Sequence, residues 1–117
     1  MMQLEVHKVI HRDLAARNVL VFGFDAADWS KVHVKVTDYG LALLTQGTST
    51  GTSLIEVTTN IASTAGPVRW MAVESIKRRI YSRQSDVWAF GVLLWETMTK
   101  GEVPYGNYGQ DNEAAKA

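Results

Sequence analysis

Several features that would assign a protein to a special class are absent from this sequence. It contains no cysteine, so it has neither a disulfide framework nor a thiolate metal site, which is compatible with a reducing cytosol. Twelve basic residues balance 12 acidic ones, so the net charge predicts no nucleic-acid-binding or membrane-binding surface. The longest apolar-rich run, residues 87–95, is too short to span a membrane. Residues 1–5 also lack the charged-then-apolar layout of a signal peptide. An ordinary globular composition remains.

The chemistry that is present is concentrated in residues 11–18, His-Arg-Asp-Leu-Ala-Ala-Arg-Asn. The carboxylate of Asp13 can accept a proton from a hydroxyl group. Asn18 offers a neutral amide oxygen, a ligand that suits a hard cation such as Mg²⁺. Arg12 and Arg17 add fixed positive charge where phosphate would be handled. Together these residues favour phosphoryl chemistry.

This octet resembles the protein-kinase catalytic loop, H-R-D-L-x-x-x-N, at every fixed position. Its second half is similar to tyrosine kinases in particular, because serine/threonine kinases usually carry Lys where this chain has Ala15. The resemblance implies that Asp13 accepts the proton of a substrate tyrosine and that Arg17 contacts the transferring phosphate. It also implies that His11 is a structural histidine bonded to backbone and that Arg12 bonds the activation segment.

A β-hairpin is predicted next, because residues 19–22 are apolar strand formers and residues 32–36 alternate valine with polar side chains. The hairpin would bring Asn18 close to Asp38. Asp38, Tyr39 and Gly40 resemble the D-F-G motif of kinases, in which the Asp and the catalytic-loop Asn hold Mg²⁺ against the nucleotide phosphates. Tyr39 adds a hydroxyl group that needs a partner or water, and Gly40 permits a backbone turn.

The segment 38–74 corresponds to the kinase activation segment, yet it contains no tyrosine except Tyr39 and no Lys or Arg before Arg69. Ten Ser and Thr residues lie within 45–64, and each is interpreted first as a solvated hydroxyl and second as a site for another kinase. A brief strand is predicted at 54–57. Residues 66–72 then resemble the tyrosine-kinase shelf that supports the substrate phenol, although its tryptophan could equally be a core anchor. The shelf residues are Pro67, Val68, Arg69 and Trp70.

A helix is predicted over about 85–100, with Ser82 or Ser85 as its N-cap and apolar side chains on nearly every face, so we expect burial on several sides. Its first residues match the kinase pattern S-D-V-W-[SA]-[FY]-G, which implies that Asp86 accepts hydrogen bonds from the catalytic-loop backbone. Glu74 stands in an Ala-Val-Glu triplet where kinases have A-P-E. The arginine that pairs with this Glu in kinases would lie beyond residue 117, so we expect Glu74 to be unpaired.

These motifs span residues 9 to about 106 and imply an α+β, protein-kinase-like fold. The chain, 1–117, would be a partial kinase domain: a mainly helical C-lobe fragment with a short hairpin beside the catalytic loop. We expect the N-lobe to be absent, since the chain has neither G-x-G-x-x-G nor a V-A-I-K-like lysine. Alone, the fragment should be inactive and poorly stable, because its truncated ends would expose apolar surface.

The parent protein implied by the resemblance uses ATP and Mg²⁺ to phosphorylate tyrosine in a protein or peptide. Its expected location is the cytoplasm or the cytoplasmic part of a membrane receptor. Two alternatives stay open. A pseudokinase or regulatory binding module is suggested by Val73 and by the activation segment with no tyrosine besides Tyr39. A tyrosine-kinase-like enzyme acting on serine or threonine is disfavoured by Pro67 and by the Ala-Ala-Arg sequence at 15–17.

Overall fold

The computed structural model describes residues 1–44, 55–56 and 67–108, which contain three short β-pairs and one long helix. The helices are α1 (Met2–Val6), α2 (Val73–Arg78) and α3 (Arg83–Met98). The strands are β1 (Val9–Ile10), β2 (Val19–Gly23), β3 (His33–Val36), β4 (Leu43–Leu44), β5 (Ile55–Glu56) and β6 (Ile80–Tyr81). Single 3-10 turns occur at Ala16–Asn18, Trp29–Lys31, Val68–Trp70 and Gly106–Tyr108. Apart from 55–56, the hydroxyl-rich stretch 45–64 lies outside the described residues.

Each β-pair is antiparallel and joins two parts of the chain that carry motifs. Strands β2 and β3 form the predicted hairpin, with Val19 opposite Val36. Strand β1, which leads into the octet, pairs with β4 just beyond Asp38-Tyr39-Gly40. The predicted strand in 54–57 is β5, which pairs with β6 immediately before α3. The pairings therefore bring both flanks of the octet close to the activation segment.

Helix α3 begins at a reciprocal cap. The hydroxyl of Ser82 accepts a hydrogen bond from the backbone N–H of Ser85 at 3.2 Å, and the hydroxyl oxygen of Ser85 accepts one from the N–H of Ser82 at 2.9 Å. Ser82 is therefore the N-cap, and the helix covers 83–98 where the sequence predicted about 85–100. The cap satisfies backbone donors that the first helical turn leaves unpaired.

The burial predicted for α3 is wrong for this chain, because only one stripe of the helix faces the interior. That stripe consists of Ser85, Asp86, Ala89, Leu93 and Glu96. Five apolar residues on the other faces are 41–84% exposed: Val87, Trp88, Leu94, Trp95 and Met98. Within the described ranges these side chains are only partly covered, so α3 leaves apolar surface in contact with water.

Polar groups share the interior with a small apolar core. The buried apolar residues are Ile10, Leu14, Ala15, Ala72, Ala89 and Leu93. Beside them lie the buried polar or charged residues His11, Asn18, Arg69, Ser75, Ser82, Ser85, Asp86 and Glu96. So large a polar share means that hydrogen bonds, as much as apolar burial, decide how these segments are arranged. Among the described helices, none has the length and apolarity needed to cross a membrane.

Two substitutions on α3 test the single buried stripe. We expect Leu93→Ala to lower the free energy of unfolding by about 2–3 kcal/mol, because it leaves a cavity in the core. Met98→Ala, at a position 84% exposed, should change that free energy by less than about 0.5 kcal/mol. Urea titrations of the chain followed by circular dichroism measure both values, and equal losses would contradict the observed burial.

Candidate active site

The carboxylate of Asp86 holds the start of the catalytic loop. One oxygen accepts a hydrogen bond from the backbone N–H of His11 at 2.7 Å, and the other accepts one from the N–H of Arg12 at 2.9 Å. Asp86 is only 2% exposed, and the loop residues lie more than 70 positions away in sequence. One side chain in the first turn of α3 therefore fixes the two peptide groups that flank His11.

His11 is fully buried and uses both ring nitrogens. Nε2 donates to the carbonyl of Thr37 at 2.9 Å, and Nδ1 accepts from the backbone N–H of Asp13 at 3.2 Å. This pattern assigns the ring proton to Nε2. The ring of Tyr39 meets the imidazole edge-on, with the ring centroids 5.0 Å apart. His11 thus connects the octet to the chain on both sides of Asp38, and the Tyr39 side chain remains half exposed to water.

Two site residues have left-handed backbone conformations. Arg12 has φ 71° and Asp38 has φ 62°. Asp tolerates this region, whereas Arg does so at a cost of about 1–2 kcal/mol. Strained conformations of this kind persist where surrounding contacts hold them. The bond from the N–H of Arg12 to Asp86 is such a contact.

Burial raises the pKa of Asp86 above its ordinary value, and the two backbone N–H bonds oppose that rise. For an acid whose folded-state pKa is raised, the contribution to stability is complete below the unfolded-state pKa. It is lost as the pH increases through the folded-state pKa. The hydrogen bonds from His11 and Arg12 favour the ionised carboxylate, so they offset part of the cost of burying its charge.

The guanidinium of Arg12 contacts the activation segment. Its Nη1 donates to the carbonyl of Leu41 at 3.2 Å, and its carbon Cζ lies 4.0 Å from the ring centroid of Tyr81. The bond to Leu41 agrees with the contact expected of Arg12. The sequence analysis missed Tyr81, because no residue pattern links a tyrosine in a two-residue strand to an arginine 69 positions earlier.

Asp13, Arg17 and Trp70 form a continuous set of contacts. Arg17 makes an ion pair with the carboxylate of Asp13, and its guanidinium carbon lies 4.6 Å from the centroid of the Trp70 ring. Such a cation–π contact is worth about 0.5–1 kcal/mol at an exposed site. The structure thereby brings the expected proton acceptor next to the expected substrate shelf.

The two expected metal ligands lie on segments that are hydrogen-bonded to each other, at Asn18 and Thr37. Asn18 donates from its side-chain amide to the carbonyl of Asp13 at 2.7 Å, and its own backbone carbonyl accepts from the N–H of Thr37, next to Asp38, at 2.8 Å. Because the NH₂ group of Asn18 is engaged, its amide oxygen is the atom suited to a cation. One amide oxygen and one carboxylate fit Mg²⁺, which takes few protein ligands and completes its shell with water and phosphate.

Gly40 leaves room beside the Asp38 carboxylate. It lies in a turn closed by a bond from the N–H of Ala42 to the carbonyl of Tyr39 at 3.0 Å. Its φ is not in the left-handed region, so the turn does not demand glycine for backbone freedom. A Cβ at this position would lie 3.3 Å from Oδ1 of Asp38, and glycine therefore leaves that carboxylate unobstructed.

The shelf is a 3-10 turn, Val68–Trp70, preceded by Pro67 and held at two points. Arg69 is buried and donates to the carbonyls of Pro104 and Tyr105 at 2.6 and 2.8 Å. Trp70 donates its indole N–H to Glu96 at 2.8 Å. Trp70 is half-buried, and the sequence analysis had kept a role as a core anchor as an alternative.

Two carboxylates complete the description of the site. The sequence analysis missed Glu96. The buried stripe runs through positions 86, 89, 93 and 96. A charged residue on such a stripe of an apolar helix indicates a buried polar contact. Glu74 is half-buried in the first turn of α2, and its side chain has no ion pair or hydrogen bond among the described residues.

Comparison with known proteins identifies the family of the chain. The family model described as protein tyrosine and serine/threonine kinase matches residues 1–117. The chain belongs to this kinase family. The sequence-based recognition of a protein-kinase fold is therefore confirmed.

Receptor tyrosine kinases are among the similar relatives of this kinase segment. Human receptor tyrosine-protein kinase erbB-4 is 47% identical over 105 residues, and mouse erbB-2 is 46% identical, each match covering 90% of this chain. The epidermal growth factor receptor of Apis mellifera is 41% identical over 110 residues, or 92% of the chain. In each case the chain spans about 7% of the relative's length.

Replacing Asp86 tests the bonds that hold the catalytic loop. We expect Asp86→Asn to lower the free energy of unfolding by about 1–3 kcal/mol, because the amide NH₂ would face one backbone N–H donor and leave it unsatisfied. Urea titration of the chain at pH 7 measures the change. The partly exposed Asp25→Asn, the same chemical change on the hairpin turn, serves as control and should cost less than about 0.5 kcal/mol. Equal stability of Asp86→Asn and the native chain would refute the bracing role.

Proposed function

We propose that this segment supplies the catalytic loop, the metal-binding carboxylate and the substrate shelf of a protein tyrosine kinase. The observation that carries the proposal is the position of Arg17, which pairs with Asp13 and lies against Trp70. A substrate phenol resting on the shelf would thus be beside the carboxylate that accepts its proton. The acidic site with its two arginines also suits the handling of phosphate.

The residues have separate tasks in this proposal. Asp13 accepts the hydroxyl proton and orients the phenol oxygen, while Arg17 shares its charge between that carboxylate and the transferring phosphate. Asn18 and Asp38 would hold Mg²⁺, which neutralises charge on the phosphates of ATP when bound. Pro67, Val68, Arg69 and Trp70 support the substrate ring. Because the donor is ATP, the expected location is the cytoplasm or the cytoplasmic part of a receptor.

Tyrosine is the proposed acceptor for two reasons. Ala15 stands where serine/threonine kinases usually have Lys, and the Trp70 ring lies against Arg17, which pairs with the carboxylate that would receive the phenol proton. The relatives named receptor tyrosine-protein kinases support the same choice. A regulatory module without catalysis is the second candidate, favoured by Val73 and by the absence of any activation-segment tyrosine other than Tyr39.

A segment exchange tests the proposal. The exchange protein is the human erbB-4 kinase domain in which the aligned residues of this chain replace the 105-residue segment that they match. We expect it to phosphorylate a tyrosine peptide, and Asp13→Asn to reduce kcat by about 10²–10⁴-fold, the usual contribution of a positioned base. Asp25→Asn, on the hairpin turn, is the control and should leave kcat unchanged. A folded exchange protein that binds ATP without transferring phosphate would favour the regulatory module.

The acceptor is tested with two peptides that differ only in a tyrosine or a serine at the acceptor position. We expect the tyrosine peptide to be phosphorylated at least about 100-fold faster, since the shorter serine side chain does not reach Asp13 from the shelf and a misplacement of 1 Å costs about that factor. Radiolabel transfer from ATP measures both rates. Comparable rates would support the enzyme that acts on serine or threonine.

A further inference from the structure

A second carboxylate on α3, that of Glu96, contacts two parts of the site at once. Its Oε2 accepts a hydrogen bond from the backbone N–H of Ala16 at 2.9 Å and another from the indole N–H of Trp70 at 2.8 Å. Ala16 belongs to the catalytic loop and Trp70 to the substrate shelf. One oxygen of Glu96 therefore joins the two elements that must act together on a substrate.

Burial of the Glu96 carboxylate costs free energy that its hydrogen bonds must offset. The side chain lies on the buried stripe of α3 and is only 8% exposed, so its charge is largely removed from water. Burial of a carboxylate is unfavourable unless hydrogen bonds replace its hydration. Ala89 and Leu93 on the same stripe show that an apolar side chain suits this face. The bonds to Ala16 and Trp70 account for a charged residue there.

Both bonds of Glu96 act on the neighbours of Arg17. Ala16 directly precedes Arg17 in the chain, and the Trp70 ring lies against the Arg17 guanidinium. Arg17 in turn pairs with Asp13. Fixing the backbone before Arg17 and the surface beneath its head group restricts where that guanidinium can go.

We propose that Glu96 is a positioning residue that sets Arg17 and Trp70 relative to Asp13, and so aligns the phenol of a tyrosine substrate. The inference rests on the proposed function for its kinetic consequence, whereas its structural consequence holds independently. Asn18 and Asp38 are held by other bonds, through Asp13, Thr37 and Gly40. Loss of Glu96 should therefore affect the peptide more than ATP.

The kinetic test uses Glu96→Leu and Glu96→Gln in the exchange protein. Leucine removes the oxygen that accepts both bonds, and we expect kcat/KM for the tyrosine peptide to fall by about 10–100-fold, in line with the effect of a misplacement of about 1 Å. The KM for ATP should change less than about twofold. Glutamine keeps an oxygen that can accept both bonds, so this variant should retain most of the native kcat/KM. Thr97→Val, which removes a hydroxyl bond to Leu93 on the same helix, is the matched control and should behave like the native protein.

The structural test follows the indole N–H of Trp70 by NMR of protein labelled with ¹⁵N-tryptophan, with the signal assigned through Trp70→Phe. In the native exchange protein we expect slow hydrogen exchange for this N–H, because it is bonded to a buried carboxylate. Glu96→Leu should shift the signal and speed its exchange at least tenfold, and Glu96→Gln should preserve the protection. This readout requires no phosphoryl transfer.

The outcomes separate the two proposals. An unchanged indole signal in folded Glu96→Leu, or equal losses for the peptide and ATP, would overturn the positioning role. If the native exchange protein transfers no phosphate while the indole signal responds to Glu96, the proposed function fails and the bond from Glu96 to Trp70 stands. Should Glu96→Leu not fold, Trp70→Phe removes one donor and keeps Glu96. Its peptide KM should then rise while its ATP KM stays constant, and a constant peptide KM would count against the proposal.

Discussion

The two hydrogen bonds from the catalytic-loop backbone to Asp86 are the constraint on which the other contacts of the site depend. They connect the first turn of α3 to His11 and Arg12, and the Ser82 cap fixes where that turn begins. Once His11 is held, its ring reaches the carbonyl of Thr37. Thr37 is bonded to Asn18, so the hairpin closes beside the loop. A single buried carboxylate thus determines the relative positions of segments far apart in sequence.

The chain has an interior rich in hydrogen-bonded polar groups, and it has apolar faces that remain partly exposed. Buried charges and hydroxyls have directional partners, so they define one arrangement of the loops even where few apolar contacts support it. Side chains of α3 such as Trp88 and Leu94 keep nearly half of their surface in water and so bury less apolar area than they could. A kinase segment of this kind therefore has a well-specified site and a weak apolar core, and these two properties arise from different parts of α3.

The sequence predicted what short patterns encode. The octet, the hairpin of β2 and β3 and the start of α3 follow from local residue order, and the match of the family model to residues 1–117 agrees with the recognition that they supported. It did not predict the burial of α3, because an apolar residue such as Trp95 does not reveal whether another segment covers it. It also missed Tyr81 and Glu96, whose roles depend on tertiary neighbours that no motif specifies.

Asp86 and Glu96 together explain why a long helix lies beneath the catalytic loop. They are ten residues apart on one stripe, so the helix separates them by about 15 Å along its axis. Asp86 bonds the loop where it begins, at His11 and Arg12, and Glu96 bonds it at Ala16. Because an α-helix is stiff compared with a loop, these two anchors fix the span that contains Asp13. The position of Asp13, the proposed proton acceptor, is then set by the helix at both ends of the loop.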